Sequence, residues 1–237
     1  VGKSTLFNAL TETASAEAAN YPFCTIEPNT GIVSVPDKRL TFLAELATSQ
    51  KIIPAQMQFV DIAGLVSGAS KGEGLGNKFL AHIREVDAIL HVLRCFEDED
   101  ITHTQNNIDP VRDSEIIETE LMLADLESLD RQMQNLTKKA KTNDKVAKND
   151  IIIMEELYSI LSKGIPIRLG NLSKDKMTRI KSFNLLSSKP ILYVCNVNEA
   201  DASSGNHLSK AIFDKAVNEK AESVVISGAI ESEIALL

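Results

Sequence analysis

The chain has 237 residues, which is enough for one large α/β domain or for a domain with an insertion. Its formal net charge of −8 argues against nonspecific nucleic-acid binding by the whole surface, but leaves room for a local basic patch. The three cysteines, Cys24, Cys95 and Cys195, are far apart and form no CxxC pair, so neither a zinc site nor a disulfide framework is indicated. No apolar run approaches the roughly 20 residues of a membrane span, and we expect a cytoplasmic protein with reduced thiols.

The chain opens inside a phosphate-binding motif. Its first residues match the end of a Walker A loop, G-x-x-x-x-G-K-[ST], in the order Val1-Gly2-Lys3-Ser4-Thr5. Backbone N–H groups at the start of the following helix would hold phosphates, Lys3 would neutralise the β- and γ-phosphates, and Ser4 would offer its hydroxyl to Mg²⁺. The first glycine of the motif and the strand that should precede it are not in the chain, so we expect a fragment.

Strand and helix patterns alternate after this motif. Strands are predicted over 30–35, 56–60 and 88–93, and helices over 40–46 and 77–86. A loop with five glycines separates the strand over 56–60 from the helix over 77–86, at Gly64, Gly68, Gly72, Gly74 and Gly76. Such a permissive loop is typical of a segment that moves or closely approaches a ligand.

Two further motifs lie in this part of the chain. Asp61-Ile62-Ala63-Gly64 follows a predicted strand and matches D-x-x-G, the Walker B position of GTPase-like proteins. Asp61 would act on Mg²⁺, and the N–H of Gly64 would point at the γ-phosphate. Thr25 lies in the loop between the first helix and the first strand, where such enzymes place a threonine that closes over Mg²⁺ and the γ-phosphate.

The pattern changes to long helices between Asp109 and about Asn184. Apolar residues recur at heptad-like spacing and predict an antiparallel helical hairpin, with Met122, Leu126, Leu129, Met133 and Leu136 on one helix and Val146, Ile153, Leu157 and Ile160 on the other. A lysine-rich tip joins the two helices, and a third short helix is predicted over 174–183. We therefore predict a nucleotide-binding domain in two parts, 1–108 and 187–237, interrupted by a helical insertion over 109–186.

The α/β pattern then returns and includes a motif that would select the base. Strands are predicted over 190–195 and 224–227, with a helix over 208–222 between them. The first of these strands leads into Asn196-Val197-Asn198-Glu199, and the second leads into Ser227-Gly228-Ala229, which matches the final base-contacting loop of such enzymes. Strands that alternate with helices in this way predict a parallel, doubly wound sheet.

The first of these segments departs from the GTPase motif N-K-x-D. In that motif the aspartate accepts two hydrogen bonds from guanine and the lysine lies over the base. Val197 and Glu199 occupy the lysine and aspartate positions here, so guanine pairing should be impaired. The side-chain amides of Asn196 and Asn198 could still pair with adenine. We therefore expect the site to prefer ATP over GTP.

Longer strings of sequence resemble the YchF/Obg-like ATPase family. They are Asn20-Tyr21-Pro22-Phe23-Cys24-Thr25-Ile26-Glu27-Pro28-Asn29, Asp61-Ile62-Ala63-Gly64-Leu65-Val66, Gly72-Glu73-Gly74-Leu75-Gly76-Asn77 and Arg94-Cys95-Phe96. The resemblance covers essentially the whole chain. It implies a Ras-like P-loop NTPase fold with a parallel sheet, a coiled-coil insertion, ATPase activity, and a C-terminal TGS domain that is not present after Leu237.

The resemblance also bears on hydrolysis. Ras-type enzymes orient the attacking water with a glutamine just after D-x-x-G, but Leu65 occupies that position here and cannot do so. YchF-like proteins have a functional histidine in the loop after Arg94-Cys95-Phe96, which makes His103 the candidate catalytic residue. The other histidines, His82, His91 and His207, are expected to be structural, on a helix, in a strand and in a polar loop respectively.

The sequence thus predicts a switch that hydrolyses ATP with Mg²⁺ and acts with the ribosome, through the helical insertion and the TGS domain. The lysine-rich tip could contact RNA phosphates, although such a charge run is more often a solvated turn. Two alternatives stay open: an ordinary GTPase switch, and a binding module that holds nucleotide with negligible turnover.

Overall fold

The computed structural model describes residues 1–12, 29–62, 75–98, 107–140 and 144–237. The helices are α1 (Lys3–Thr11), α2 (Lys38–Leu46), α3 (Leu75–Glu85), α4 (Pro110–Ala140), α5 (Lys145–Ser162), α6 (Lys174–Ile180), α7 (His207–Glu219) and α8 (Gly228–Ile234). The strands are β1 (Asn29–Ser34), β2 (Gln56–Asp61), β3 (Ile89–Arg94), β4 (Ile191–Asn196) and β5 (Glu222–Ile226).

The described strands form a parallel sheet and an antiparallel pair. β4 lies at the centre of the parallel sheet, in the order β3-β4-β5, and β1 pairs with β2 so that Asn29 lies opposite Asp61. Five of the six residues of β4 are buried, as expected for a strand covered on both faces. The carboxyl ends of β3 and β4 coincide, with Arg94 opposite Asn196. This edge of the sheet is where ligands bind in open α/β folds.

The helical insertion is a hairpin of α4 and α5. Met122, Leu129, Ile153 and Leu157 are buried in one apolar cluster, and the predicted hairpin is thereby confirmed. Val146 is an exception to the predicted seam, since it lies in the first turn of α5 and its side chain is 61% exposed. Although α4 is 31 residues long, neither it nor any other helix among the described residues is apolar enough to cross a membrane.

Helix α7 begins and ends at different residues from those predicted. His207 is the first residue of α7 rather than part of a polar loop, because Asn206 caps the helix immediately before it. The helix ends at Glu219 because Lys220 adopts a left-handed conformation with φ of 54°. Glu222, which was predicted to lie in the helix, is the first residue of β5.

A buried network of charged groups joins the insertion to the parallel sheet. Arg168, which follows the hairpin, forms ion pairs with Glu118 of α4 and Glu219 of α7. The Tyr193 hydroxyl on β4 donates to Glu219 at 2.8 Å, and Lys215 lies 2.5 Å from the same carboxylate. Burial alone would raise the pKa of Glu219, but the hydrogen bonds from its neighbours outweigh this and lower it. Loss of one partner would leave a buried charge uncompensated.

A second buried contact fixes the carboxyl end of α3 to the insertion. The Asp125 carboxylate on α4 is fully buried and accepts hydrogen bonds from the N–H groups of Leu186 and Ser187, each at 2.8 Å. Arg84 on α3 lies 3.6 Å from the same carboxylate and donates to the Asn184 carbonyl at 2.7 Å. The helix that follows the glycine-rich loop is thus held at its far end by residues on both sides of the hairpin.

The environment of His91 predicts a pH-dependent stability. This side chain on β3 packs 6.0 Å from the Tyr193 ring, and burial, followed by the positive charges of Lys215 and Arg168, lowers its pKa to about 4 despite the opposing Glu219. Since the unfolded pKa is about 6.5, the unfolded chain binds more protons between these values. The His91 contribution is therefore complete above pH 6.5 and is lost as the pH falls to about 4, by up to about 3 kcal/mol.

This contribution can be isolated by comparing urea unfolding of the protein and His91→Gln from pH 7 to pH 4. As the pH falls from 7 to 4, the unfolding free energy of the protein should decrease more than that of His91→Gln, by up to about 3 kcal/mol. His207→Gln, at an exposed position on α7, is the control for the removal of a histidine. Parallel pH profiles for the protein and His91→Gln would contradict the prediction.

Candidate functional site

The amino end of α1 is built as an anion site. Gly2 precedes the helix with φ of 84°, a backbone conformation that favours glycine, and no side chain among the described residues caps this end. A Cβ atom at Gly2 would lie 2.3 Å from the Asn196 amide nitrogen, so the close approach of the two residues also requires glycine. The N–H groups at the start of α1 are available to a phosphate.

Three predicted residues meet beside this helix end. The Lys3 ammonium and the Ser4 hydroxyl both donate to the Asp61 carboxylate at the end of β2, and the Ser4 Oγ to Asp61 Oδ2 distance is 2.8 Å. The carboxylate is almost fully buried, whereas the Lys3 side chain remains 35% exposed. The residues of the Walker A and Walker B motifs are therefore adjacent, as the sequence predicts.

The same donor set suits Mg²⁺. A carboxylate and a hydroxyl within hydrogen-bonding distance are hard oxygen ligands, and Mg²⁺ usually combines one or two such groups with water and substrate phosphates. Ser4 and Asp61 would hold the ion, which would neutralise phosphate charge when bound. Across the described ranges, no cluster of three or more His, Cys, Asp or Glu side chains could form a metal site from protein groups alone.

The Asn196 side chain connects two loops of the site. This residue ends β4 and is buried; its amide nitrogen donates to the Val1 carbonyl at 3.0 Å, and its Oδ1 accepts from the Gly228 N–H at 2.8 Å. Asn196 thus holds the start of the phosphate loop against the start of α8. The base contact that the sequence predicts for this residue stays a prediction, and the bonds to the backbone of its neighbours are an additional role.

The other base-motif residues divide into buried and exposed groups. Val197 is buried in the apolar cluster that includes Cys95 and Ile212, and its N–H donates to the Ile226 carbonyl at 2.9 Å. Asn198 and Glu199 follow it on the surface. Of the last loop, Ser227 and Gly228 are buried and Ala229 is exposed.

Three predicted site residues, Thr25, Gly64 and His103, lie outside the described residues. Thr5 is half-buried in the first turn of α1, and Val1 is exposed at the start of the phosphate loop.

One residue at this edge of the sheet had no predicted role. Arg94 ends β3 and is buried, with its guanidinium 5.0 Å from the Phe96 ring centroid. It donates to the carbonyls of Phe96 and Asp98 at 3.0 and 3.1 Å. The sequence signal for Arg94 was its position: a charged residue that ends an apolar strand, next to the strand that leads into the base motif.

Several known proteins are similar to this chain over its whole length. Residues 1–154 match the family model described as "50S ribosome-binding GTPase". The chain is 55% identical over 237 residues to the ribosome-binding ATPase YchF of Haemophilus influenzae and 50% identical over 239 residues to that of Bacillus subtilis. The solved structure of the Schizosaccharomyces pombe YchF GTPase is 36% identical, with a TM-score of 0.79. Each match covers 100% of this chain and 65% of the other protein.

The fold, the Lys3–Asp61–Ser4 arrangement and the family match define this chain as a P-loop GTPase domain with a parallel sheet and a helical insertion. Within that class the chain belongs to the YchF family. It spans 65% of the length of the curated relatives.

Lys3 is expected to provide most of the charge that holds the phosphates. Lys3→Ala should reduce nucleotide affinity about 100-fold or more, since a buried Asp61 carboxylate would then face the phosphates without a cation. Titration of fluorescent ATP into the full-length protein would measure this change. Lys38→Ala, on the exposed first turn of α2, is the matched control and should bind like the parent. Unchanged affinity in Lys3→Ala would show that α1 is not the phosphate site.

Proposed function

We propose that this chain is the nucleotide-binding part of a switch that hydrolyses ATP, in preference to GTP, with Mg²⁺ and in association with the ribosome. The observation that carries the proposal is the meeting of Lys3, Ser4 and the Asp61 carboxylate beside the uncapped amino end of α1. These groups match what a Mg²⁺–nucleotide needs: N–H donors, a cation and two hard oxygen ligands.

The preference for adenine rests on two side chains of the base motif. A GTPase-like lysine over the base would have to replace Val197, whose side chain is 3% exposed and packs in the core. The carboxylate that would pair with guanine belongs to Glu199, which is one methylene longer than aspartate. Because the Asn196 amide is bonded to Val1 and Gly228, the exposed Asn198 is the better placed amide to contact the base edge.

The proposed domain division supports a switch whose insertion moves with the nucleotide domain. We assign 1–108 and 187–237 to the nucleotide-binding domain and 109–186 to the insertion. The buried charges of Glu118, Arg168 and Glu219, and the Asp125 contact to residues 186–187, join the two parts. A nucleotide-dependent change in the position of α3 or β4 would therefore be transmitted directly to the insertion.

We propose the ribosome as a binding partner because the relatives are named ribosome-binding ATPases. The insertion offers exposed lysines near its tip, Lys138 and Lys145 among them, that suit contact with RNA phosphates. The TGS domain that the family resemblance implies would add a second contact. Such a partner would place the protein in the cytoplasm.

The choice of base can be tested without disturbing the core. Val197→Lys would bury an ammonium group and cost stability, so Glu199→Asp is the cleaner change. The parent should bind ATP at least about tenfold more tightly than GTP, the effect of one lost bidentate base contact. Glu199→Asp should narrow this ratio, because the shorter carboxylate returns toward the guanine-pairing position.

Isothermal titration of both nucleotides, with Mg²⁺ and the full-length protein, measures the ratio. The same conservative change at an exposed glutamate on the insertion, Glu155→Asp, is the matched control and should leave the ratio unchanged. A parent that binds GTP as tightly as ATP would overturn the ATP preference and favour the GTPase alternative.

Hydrolysis is assigned to His103 on the family resemblance. His103→Ala should slow single-turnover hydrolysis about 100-fold or more while leaving ATP affinity nearly unchanged. This is the pattern expected of a group that orients the attacking water or accepts a proton from it. His207→Ala, on the exposed start of α7, should hydrolyse ATP like the parent. Equal rates for the parent and His103→Ala would remove the role from this residue. A parent with no measurable turnover would favour the nucleotide-holding alternative.

A further inference from the structure

The loop from Asn196 to Asn206 carries the exposed Asn198 and Glu199, the two residues that we assign to base selection. A surface loop of this length has many conformations, and each exposed side chain would be poorly placed unless the loop is closed by specific contacts. The contacts that close it identify the residue that holds it in place.

Both ends of this loop are bonded to one residue, Cys95, which follows β3 and is fully buried. The Cys95 N–H donates to the Asn196 carbonyl at 2.8 Å. The Cys95 carbonyl accepts from the Asn206 side-chain amide, also at 2.8 Å. Since Asn196 itself holds Val1 and Gly228, the loop is closed onto the same framework that holds the phosphate loop.

The Asn206 side chain makes four hydrogen bonds with two different purposes. Its Oδ1 accepts from the N–H groups of Leu208 and Ser209, each at 3.1 Å, and so caps α7. Its amide nitrogen donates to the Cys95 carbonyl at 2.8 Å and to Asp201 Oδ2 at 2.9 Å. Capping needs only an acceptor, which aspartate or serine would supply equally well. The two donor bonds are therefore the reason for an amide at this position.

Asp201 is bonded in turn to Asn198, one of the two base-selecting residues. The Asp201 N–H donates to the Asn198 carbonyl at 3.0 Å, and the Asp201 carbonyl accepts from the Gly205 N–H at 2.7 Å. Gly205 has φ of 69°, and a Cβ atom there would lie 2.6 Å from the Ser209 hydroxyl, so the turn before Asn206 requires glycine. Asn206 thus holds Asp201, and Asp201 holds Asn198.

We propose that Asn206 is a positioning residue for base selection: by closing the 196–206 loop onto Cys95 and Asp201, it fixes Asn198 and Glu199 at the base. The inference rests on the proposed function, because it names what places the residues that distinguish ATP from GTP. In this role Asn206 need not contact the nucleotide. It acts through the donor half of its amide, and the acceptor half serves the helix.

The two halves can be separated by substitution. Asn206→Asp keeps the acceptor that caps α7 but removes both donors and places a second carboxylate beside Asp201. The melting temperature should fall, because the buried Cys95 carbonyl loses its donor and the two carboxylates repel each other. The ratio of GTP to ATP dissociation constants should also fall by about three- to tenfold, the effect of one misplaced hydrogen bond. The single-turnover rate at saturating ATP should stay the same, because a lost binding contact changes KM and not kcat.

The exchange of the two side chains provides a rescue. In Asn206→Asp with Asp201→Asn, the amide at 201 can donate to the carboxylate at 206, so the bond between them returns with its direction reversed. We expect the ATP preference to recover in large part, although the Cys95 carbonyl stays without its donor. Asp144→Asn, at the cap of α5, is the matched control for an amide–carboxylate change at a helix start and should leave the ratio unaltered.

The measurements are nucleotide titrations and melting curves of the full-length protein. A parent that prefers ATP, an Asn206→Asp variant whose GTP to ATP ratio is at least about threefold lower, and recovery in the double variant would support the proposal. If the parent prefers ATP and Asn206→Asp prefers it equally, the positioning role is wrong, while the proposed function stands. No recovery in the double variant would contradict the part assigned to Asp201. If Asn206→Asp fails to fold, Asp201→Ala tests the same loop closure with the cap intact.

Discussion

The buried amide of Asn196 is the contact on which the arrangement of the nucleotide site depends. It lies at the end of the central strand and bonds to the backbone on either side, to Val1 of the phosphate loop and to Gly228 at the start of α8. Burying an amide without hydrogen-bond partners costs folding free energy. The bonds to Asn196 therefore fix the phosphate loop and the start of α8 next to the carboxyl end of β4. Gly2 lies so close to the same amide that a Cβ atom would overlap it, which explains why the phosphate loop has glycine at that position.

The position of β4 is in turn set by the insertion as well as by the sheet. Tyr193, three residues before Asn196 on the same strand, bonds to Glu219, which also pairs with Arg168 from the far side of the hairpin. Ion pairs this deeply buried contribute little net stability, because desolvation offsets the attraction. Their geometry is nevertheless specific, since each charge has defined partners. The insertion, the base-motif strand and α7 are therefore joined by contacts that tolerate few alternative arrangements.

The sequence predicted the secondary-structure elements and the meeting of the P-loop with Asp61 better than it predicted the other contacts. The P-loop, the strand that leads to Asp61 and the apolar seam of α4 and α5 follow from motifs and spacing, which are local properties. The helix end at Lys220 was missed because a left-handed residue other than glycine has no clear sequence signal. The base contact predicted for Asn196 stays a prediction, whereas its bond to Val1, which lies 195 residues away in the chain, had no sequence signal. Asn206 could not be found from the motif, since its partners Cys95 and Asp201 meet it only in the fold.

The relatives are named both as ATPases and as a GTPase, so the identity of the bound base distinguishes the two functions. The most direct measurement is the nucleotide that stays bound when the full-length protein is purified from cells without added nucleotide, released by denaturation and identified by mass spectrometry. With Val197 in the core and Glu199 in place of aspartate, we expect an adenine nucleotide. A guanine nucleotide, bound at one per chain, would contradict it.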